Sequence, residues 1–362
     1  MERATYRIID ANFNRAREAA RVIEEFCRFA LNSASLTERA KQLRHELSAA
    51  IDKLDAGWLL SSRDTISDVG VGKKIDKQFE RTDLKSTFTA ACKRLTEALR
   101  TLTEMTSALG GQNRSVAQML EKLRFDAYAL EKDIVLFAEP AEKFKRVKLY
   151  VIISSPPAFL RKQEGGPADI ICLTQRCVAG GADCIQLRAK DINDETLFAV
   201  AVEFVKVCKA GGVLSIINDR VDVAVAAGAD GVHLGQNDLP IEQARKLQLA
   251  PLIIGKSTHS LEQLKTAGEA QPTYVSLGPV FTTGTKPTAE PVGVRYVREA
   301  IKKLADTGIG NVAIGGITLK NVEKVLNAGA QVIAVCSAVT EVGDPTTACR
   351  ALKQKITTFK KE

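Results

Sequence analysis

Several short runs in the second half of the chain end in polar residues suited to anion chemistry. In QLRAKD, period-two alternation sends Gln186, Arg188 and Lys190 to one side of an extended run, with Leu187 and Ala189 on the other. A one-sided Gln/Arg/Lys row reads as a clamp for an anion; the plainer alternative is a set of salt bridges closing a barrel layer. INDR and HLGQND add Asn218, Asp219 and Asp238 as oxygen donors. Two carboxylates facing a basic row suit Mg²⁺, a hard cation usually held by one or two carboxylates, water and the oxygens of a diphosphate. Asp219 alone also suits the N-cap of a helix over DRVDVAVAAG. His233, inside a strand-like run, suits a structural or supporting role better than metal ligation. GPVFTTGTKPT puts Thr283, Thr285 and Lys286 on a loop able to wrap a phosphate, with Gly284 permitting close approach. IGGIT and CSA lead straight into helices, so the backbone N–H groups of Gly316 and Ser337 suit a second phosphate. No Ser-His-Asp or Cys-His arrangement is suggested, nor a Walker-A or GxGxxG signature between strand and helix. What remains is a metal-assisted displacement of diphosphate, in which the protein positions reactants and stabilises departing charge.

Those residues need a scaffold that gathers strand ends. From about residue 146 onward, β-branched runs alternate with amphipathic stretches: KLYVII (148–153), DCIQLR (183–188), VLSII (213–217), GVHLG (231–235), LIIGK (252–256), YVSLGPV (274–280), NVAIGG (311–316) and VIAVCS (332–337). Helical candidates such as DETLFAVAVEFVKVCKAG follow them, several closing on a C-capping Gly. The pattern predicts an α/β fold, a C-terminal (β/α)8 TIM barrel over 146–362, with a doubly wound sheet as the alternative. Such barrels carry their active sites at the C-terminal ends of the strands, where the polar runs fall.

Residues 1–140 lack strand-like alternation and predict an all-α N-terminal domain. An internal repeat runs through it: a shift of 79 residues superimposes Ala11, Arg15, Glu18, Ala19, Arg21 and Glu25 on Ala90, Arg94, Glu97, Ala98, Arg100 and Glu104. FAEPAEKFKR (137–146), with Pro140, is the expected boundary.

Composition narrows the function class. A chain of 362 residues, at ~150 per domain, suits two domains. The net charge of +8 is spread evenly, 26 minus 22 over residues 1–147 and 25 minus 21 beyond, and aromatic residues are 5%. A nucleic-acid binder would more often show a clustered basic stripe with aromatics, so no nucleic-acid partner is expected. No apolar run approaches the ~20 residues of a spanning helix, so no membrane partner is expected either. The charged MERATYRIID start suits a cytoplasmic protein better than a secreted one. The 8 cysteines form no CxxC pair and read as reduced core thiols.

The ordered set QLRAK, INDR, GVHLGQND, KSTHS, LGPVFTTGTK, IGGIT and CSA, over about 148–350, resembles thiamine-phosphate synthase. The resemblance implies a transferase that joins hydroxymethylpyrimidine diphosphate to a thiazole phosphate, releasing diphosphate with Mg²⁺ through a dissociative pyrimidine-methyl cation. Carried over by motif, Gln186, Arg188 and Lys190, with Asn218, would meet the pyrimidine diphosphate, and Asp219 and Asp238 would hold the metal. Ser257, in KSTHS, and Lys286 would contact the diphosphate, making Lys190, Ser257 and Lys286 the catalytic candidates. Thr283 and Thr285 would meet the thiazole phosphate, with Gly316 and the Cys336-Ser337 turn. Two departures stand out: Ser154 and Ser155 replace a frequent acidic ending of the first strand, and Asn237 stands where the family often has an acid. The helical half, above all DANFNRAREAARVIEEFCRF, resembles an extension linked to phosphorylation of hydroxymethylpyrimidine phosphate, implying ATP as its partner. Arg15, Arg21, Arg63, Lys73 and the DVGVGKK segment are its candidate phosphate contacts. The rival reading pairs these with Glu18, Glu24, Glu25 and Asp64 and makes the half a dimerisation or partner-binding module of a homo-oligomer.

Overall fold

The computed structural model describes residues 2–66, 68–70, 80–155, 167–248, 250–284 and 289–359. The chain divides into two compact units, Met1–Val135 and Leu136–Glu362.

The first unit is built from α1 (Glu2–Glu25), a π-helical turn (Phe26–Ala30), α2 (Ala34–Ile51), α3 (Ala56–Ser62), α4 (Leu84–Leu109) and most of α5 (Arg114–Phe144). Short polar side chains start the helices: Ser33 and Asp55 accept from the Leu36 and Trp58 N–H groups, and Asp83 and Ser86 close a capping box. α1 buries Ile9, Ala16, Ala19, Ala20 and Ile23, α4 buries Ala91, Leu95, Ala98, Leu99 and Leu102, and the two helices pack on each other. These are the repeat copies. Ala19 and Ala98 occupy equivalent buried positions, while Arg21–Glu25 and Arg100–Glu104 form the same i,i+4 ion pair on the outer faces. Exposed pairs of that kind contribute only ~0.3–0.5 kcal/mol, so the alanine seam, not the charge repeat, holds the helices together.

Pro140 stands inside α5, not in a loop. The helix ends at Phe144, and Phe144 and Val147 pack among Tyr150, Ile253 and Tyr274, inside the second unit.

That unit runs β1 (Leu149–Ser155), α6 (Pro167–Ala179), β2 (Cys184–Ala189), α7 (Asp194–Ala210), β3 (Leu214–Asn218), α8 (Val221–Ala227), β4 (Gly231–Leu234), α9 (Ile241–Leu247), β5 (Ile253–Thr258), α10 (Leu261–Glu269), β6 (Tyr274–Leu277), α11 (Gly293–Leu304), β7 (Gly310–Ile314), α12 (Val322–Asn327), β8 (Ile333–Val335), α13 (Ser337–Thr340) and α14 (Pro345–Thr358). The strands pair in chain order, all parallel, and Leu149 of β1 meets Ile333 of β8, which closes a (β/α)8 barrel and excludes the doubly wound sheet. Val151, Ile185, Leu187, Ile217, Val232, Val275 and Ala313 face the helices, whereas Tyr150, Cys184, Ile216, Ile253, Tyr274 and Val312 point inward. At the N-terminal end acids tie strand starts together. Asp183 accepts from the Lys148 and Leu149 N–H groups at 2.9 Å each, and Asp230 accepts from Ser215. The strand starts are therefore tied together, and the inward residues above them are mostly apolar apart from the buried Tyr150 and Tyr274 hydroxyls, with further polar residues at the C-terminal mouth.

Candidate active site at the strand ends

The mouth holds a cleft with a cavity volume of about 150 Å³. Gln186, Arg188 and Lys190 line it together, as alternation along β2 requires, while Leu187 lies in the outer core. Asn218, Asp219, Asp238, Ser257, Thr283, Gly316, Cys336 and Ser337 line the same cleft. Thr285, Lys286 and Lys73 lie outside the described residues, as does most of the DVGVGKK segment.

Lys190 Nζ reaches Asp219 Oδ2 at 2.8 Å. Asp219 does not cap α8: Arg220 holds the N-cap position, without a side-chain cap bond, and Asp219 is left-handed at φ 65. Its N–H donates to the His233 carbonyl at 2.8 Å, which turns the carboxylate away from the helix and into the mouth. Asp238 accepts from the Gly235 N–H at 2.6 Å. Burial, then the neighbouring Asp219 carboxyl, pushes the Asp238 carboxyl above its ordinary range. Two neighbouring carboxylates, with oxygen donors around them, form a donor set that fits Mg²⁺, which needs few protein ligands when a phosphate supplies the rest. Among the described residues no group of three or more His, Cys, Asp or Glu is placed to hold a metal.

At the opposite rim, Gly315 and Gly316 adopt φ of 104 and 63. A side chain on Gly315 would overlap Pro279, and one on Gly316 would overlap the Thr282 carbonyl, so these glycines let the β7 turn pack against the loop carrying Thr283. Neither the Gly316 nor the Ser337 N–H has an acceptor among the described residues. α13 is a single turn, so any anion there would meet local N–H donors, not a long helix dipole.

Sequence reasoning missed part of the lining. Tyr150, Tyr274, Ser276 and His259 also face the cleft. Tyr150 in KLYVII and Tyr274 in YVSLGPV share inward parity with Ile152 and Ser276, a signal that only a closed barrel makes readable. Lys256 is a second omission: its ammonium donates to the Gly235 carbonyl at 2.6 Å and braces the turn that presents Asp238. Partial burial lowers its pKa, and Asp238 offsets this in part.

In the helical unit, Arg63 makes a bidentate pair with the buried Asp10 at 2.6 and 2.8 Å, not with Asp64. Arg21 pairs with Glu24 and Glu25, and Glu24 also takes Arg44 at 2.7 Å. Arg15 is exposed, with no ion pair among the described residues. Arg21 is thus engaged as the pairing alternative expects, Arg63 is engaged by an acid that alternative did not name, and Arg15 has no ion pair among the described residues. All 8 cysteines are free thiols, with Cys172 exposed and Cys336 at the cleft. Burial pushes the Cys27 and Cys208 thiols up to about 12, which keeps them protonated and unreactive.

The model of a family described as thiamine monophosphate synthase matches residues 158–339, and that of the ThiD2 family matches 7–133. A thiamine-phosphate synthase of Rhodopirellula baltica is 36% identical over 344 residues, 93% of this chain and 88% of the relative. One of Synechocystis sp. is 36% identical over 353 residues, covering 96% and 95%. Among solved structures, thiamine phosphate pyrophosphorylase from Pyrococcus furiosus is 32% identical with a TM-score of 0.52, covering 60% of this chain and 97% of its own.

Proposed function

The chain belongs to the thiamine-phosphate synthase family, and from that premise we propose how the cleft divides the work of this thiamine-biosynthetic transferase. Gln186, Arg188 and Lys190, with Asn218 and Ser257, take the pyrimidine diphosphate. Thr283, the Gly316 N–H and the Cys336-Ser337 turn take the thiazole phosphate, assisted by Thr285. Asp219 and Asp238 would hold Mg²⁺, which when bound neutralises diphosphate charge. The observation that carries this reading is the convergence of the Gln/Arg/Lys row, the carboxylate pair and the β7 and β8 turns on one cleft.

The chemistry follows from positions. The thiazole nitrogen donates its electron pair to the pyrimidine methylene carbon, the carbon–oxygen bond to diphosphate breaks, and diphosphate leaves with that bond's electrons. No proton moves at the reacting atoms, which agrees with a cleft that offers cations and hydrogen-bond donors. Arg188 has a fixed guanidinium fork suited to phosphate oxygens. Lys190, held on Asp219, is placed to turn toward the anion, and Lys286 is assigned to the departing diphosphate. Leaving-group stabilisation and alignment of the two substrates supply the rate.

The helical unit is assigned the preceding step, ATP-dependent phosphorylation of the pyrimidine monophosphate. Its support is the DANFNRAREAARVIEEFCRF resemblance and the match over 7–133. We place the enzyme in the cytoplasm; no helix among the described residues is long and apolar enough to cross a membrane. Product formation by the full-length protein with thiazole phosphate and Mg²⁺, from pyrimidine diphosphate and separately from pyrimidine monophosphate plus ATP, tests both assignments. Product from both supports two activities; product from the diphosphate alone removes the kinase and leaves the helical unit as an interaction module. Omitting Mg²⁺ and adding chelator should abolish turnover, and unchanged turnover would remove the metal assignment.

A further inference from the structure

Along the floor of the cleft a chain of buried polar side chains crosses the barrel. Gln186 Nε2 donates to the Tyr150 hydroxyl at 2.9 Å, that hydroxyl meets the Tyr274 hydroxyl at 2.9 Å, Tyr274 meets His233 Nδ1 at 2.9 Å, and His233 Nε2 meets Ser257 Oγ at 2.9 Å. Strands β2, β1, β6, β4 and β5 each contribute one member. All five members line the cleft, with Gln186 and Ser257 at the two ends of the chain.

The donors and acceptors dictate a direction. Each phenol carries one proton, and burial holds both phenols well above their ordinary range, so neither loses it. Because Gln186 donates to Tyr150, the Tyr150 proton is left for the Tyr274 oxygen, and the Tyr274 proton for His233 Nδ1. A neutral imidazole that accepts at Nδ1 carries its proton on Nε2 and gives it to Ser257 Oγ. Among the described residues Ser257 Oγ makes no other hydrogen bond, which leaves its proton to the cleft it lines.

We propose that Tyr150, Tyr274 and His233 form a one-way hydrogen-bond relay that fixes Ser257 as a donor to the anion bound in the cleft. They line the cleft, but in this role they are positioning residues that act on the anion through Ser257. The proposal rests on the assignment of Ser257 to the diphosphate. A donor is the useful polarity there, because a diphosphate oxygen can only accept. Were the order reversed, Ser257 would spend its proton on His233 and present lone pairs to an anion, which repels it. Gly255 shows how closely the relay is fitted: a Cβ there would overlap the Tyr274 ring and hydroxyl and lie 2.6 Å from His233 Nδ1.

The test is ¹⁵N NMR of full-length protein labelled at histidine. There are 3 histidines, and loss of one signal in His233→Gln assigns the ring. The proton is expected on Nε2; a proton on Nδ1 reverses the relay and overturns the proposal whatever Ser257 touches. Kinetics supply the other arm. Tyr274→Phe should lower kcat/KM for the pyrimidine diphosphate about tenfold, the worth of one hydrogen bond to a charged group, and leave the KM for thiazole phosphate unchanged. His233→Gln can accept from Tyr274 and donate to Ser257, so it should retain activity that His233→Leu, which only fills the space, loses. Equal losses in the two His233 variants would overturn the relay. A proton on Nε2 combined with a Ser257→Ala variant of undiminished kcat and diphosphate KM would overturn the proposal through the Ser257 assignment instead.

Discussion

Gly316→Ala couples stability and substrate binding in one position. Gly316 sits at φ 63, a backbone conformation that costs an L-residue roughly 1–2 kcal/mol. The added methyl would overlap the Thr282 carbonyl and lie 2.8 Å from Phe281 Cβ, in a turn with little room to shift. Overpacking of that kind costs about 1–3 kcal/mol, so the expected loss is about 2–5 kcal/mol. Gly284 is the control: among the described residues its Cβ would meet nothing within 4 Å, and Gly284→Ala should stay within about 0.5 kcal/mol of the parent. With two units in the chain a single unfolding transition is not assumed. The single tryptophan, Trp58, reports the helical unit by fluorescence, and circular dichroism follows the remainder. Whatever Gly316→Ala protein remains folded should show a raised KM for thiazole phosphate, because the loop carrying Thr283 must give way, and a smaller change for the pyrimidine diphosphate. Parental stability would refute the packing account, and lost stability with an unchanged thiazole phosphate KM would refute the placement of that phosphate.

Asp219→Asn keeps a residue tolerant of the left-handed backbone but removes the charge, so it should fold normally and raise the half-saturating Mg²⁺ concentration by at least roughly 10–100-fold, measured as turnover against Mg²⁺; an unchanged Mg²⁺ curve would remove Asp219 from the metal. Phe144→Ala deletes a buried ring stacked on Tyr274 at 4.3 Å and should cost about 3–5 kcal/mol in urea unfolding, whereas a near-neutral result would mean the barrel base closes without it. For Asp238, whose carboxyl is pushed up from 3.8 by burial and by Asp219, the folded state binds its proton more tightly than the unfolded chain. Its contribution to stability is therefore most favourable at acid pH and declines as pH rises from near 3.8 through the raised value. Urea midpoints of parent and Asp238→Asn without divalent ions should converge at the acid end and separate toward neutrality, with the parent the weaker, and added Mg²⁺ should narrow the gap. A parent that gains on the variant as pH rises would contradict the sign.

The barrel was legible because eight strand-like runs recur with helices between them, and each observed strand falls within a few residues of its run. YVSLGPV was the longest overreach: β6 stops at Leu277, and Pro279, which has no N–H to give a ladder, leads into the loop that turns toward β7. In the helical unit the repeat was readable, but the role of its charges was not. Arg63 anchors on Asp10, 53 positions away, and no local spacing indicates that pairing.

Alternation along a strand determines by itself that Gln186, Arg188 and Lys190 share a face, because side-chain direction repeats every two residues without reference to the rest of the chain. Residue type determines that this face attracts anions. Only the tertiary structure decides which residues answer it. Barrel closure brings the Tyr150 and Tyr274 hydroxyls within 2.9 Å across 124 positions, and Lys190 within 2.8 Å of Asp219. Those distances depend on strand register around a closed ring, where every pairing constrains the next, and no segment of sequence carries that information alone.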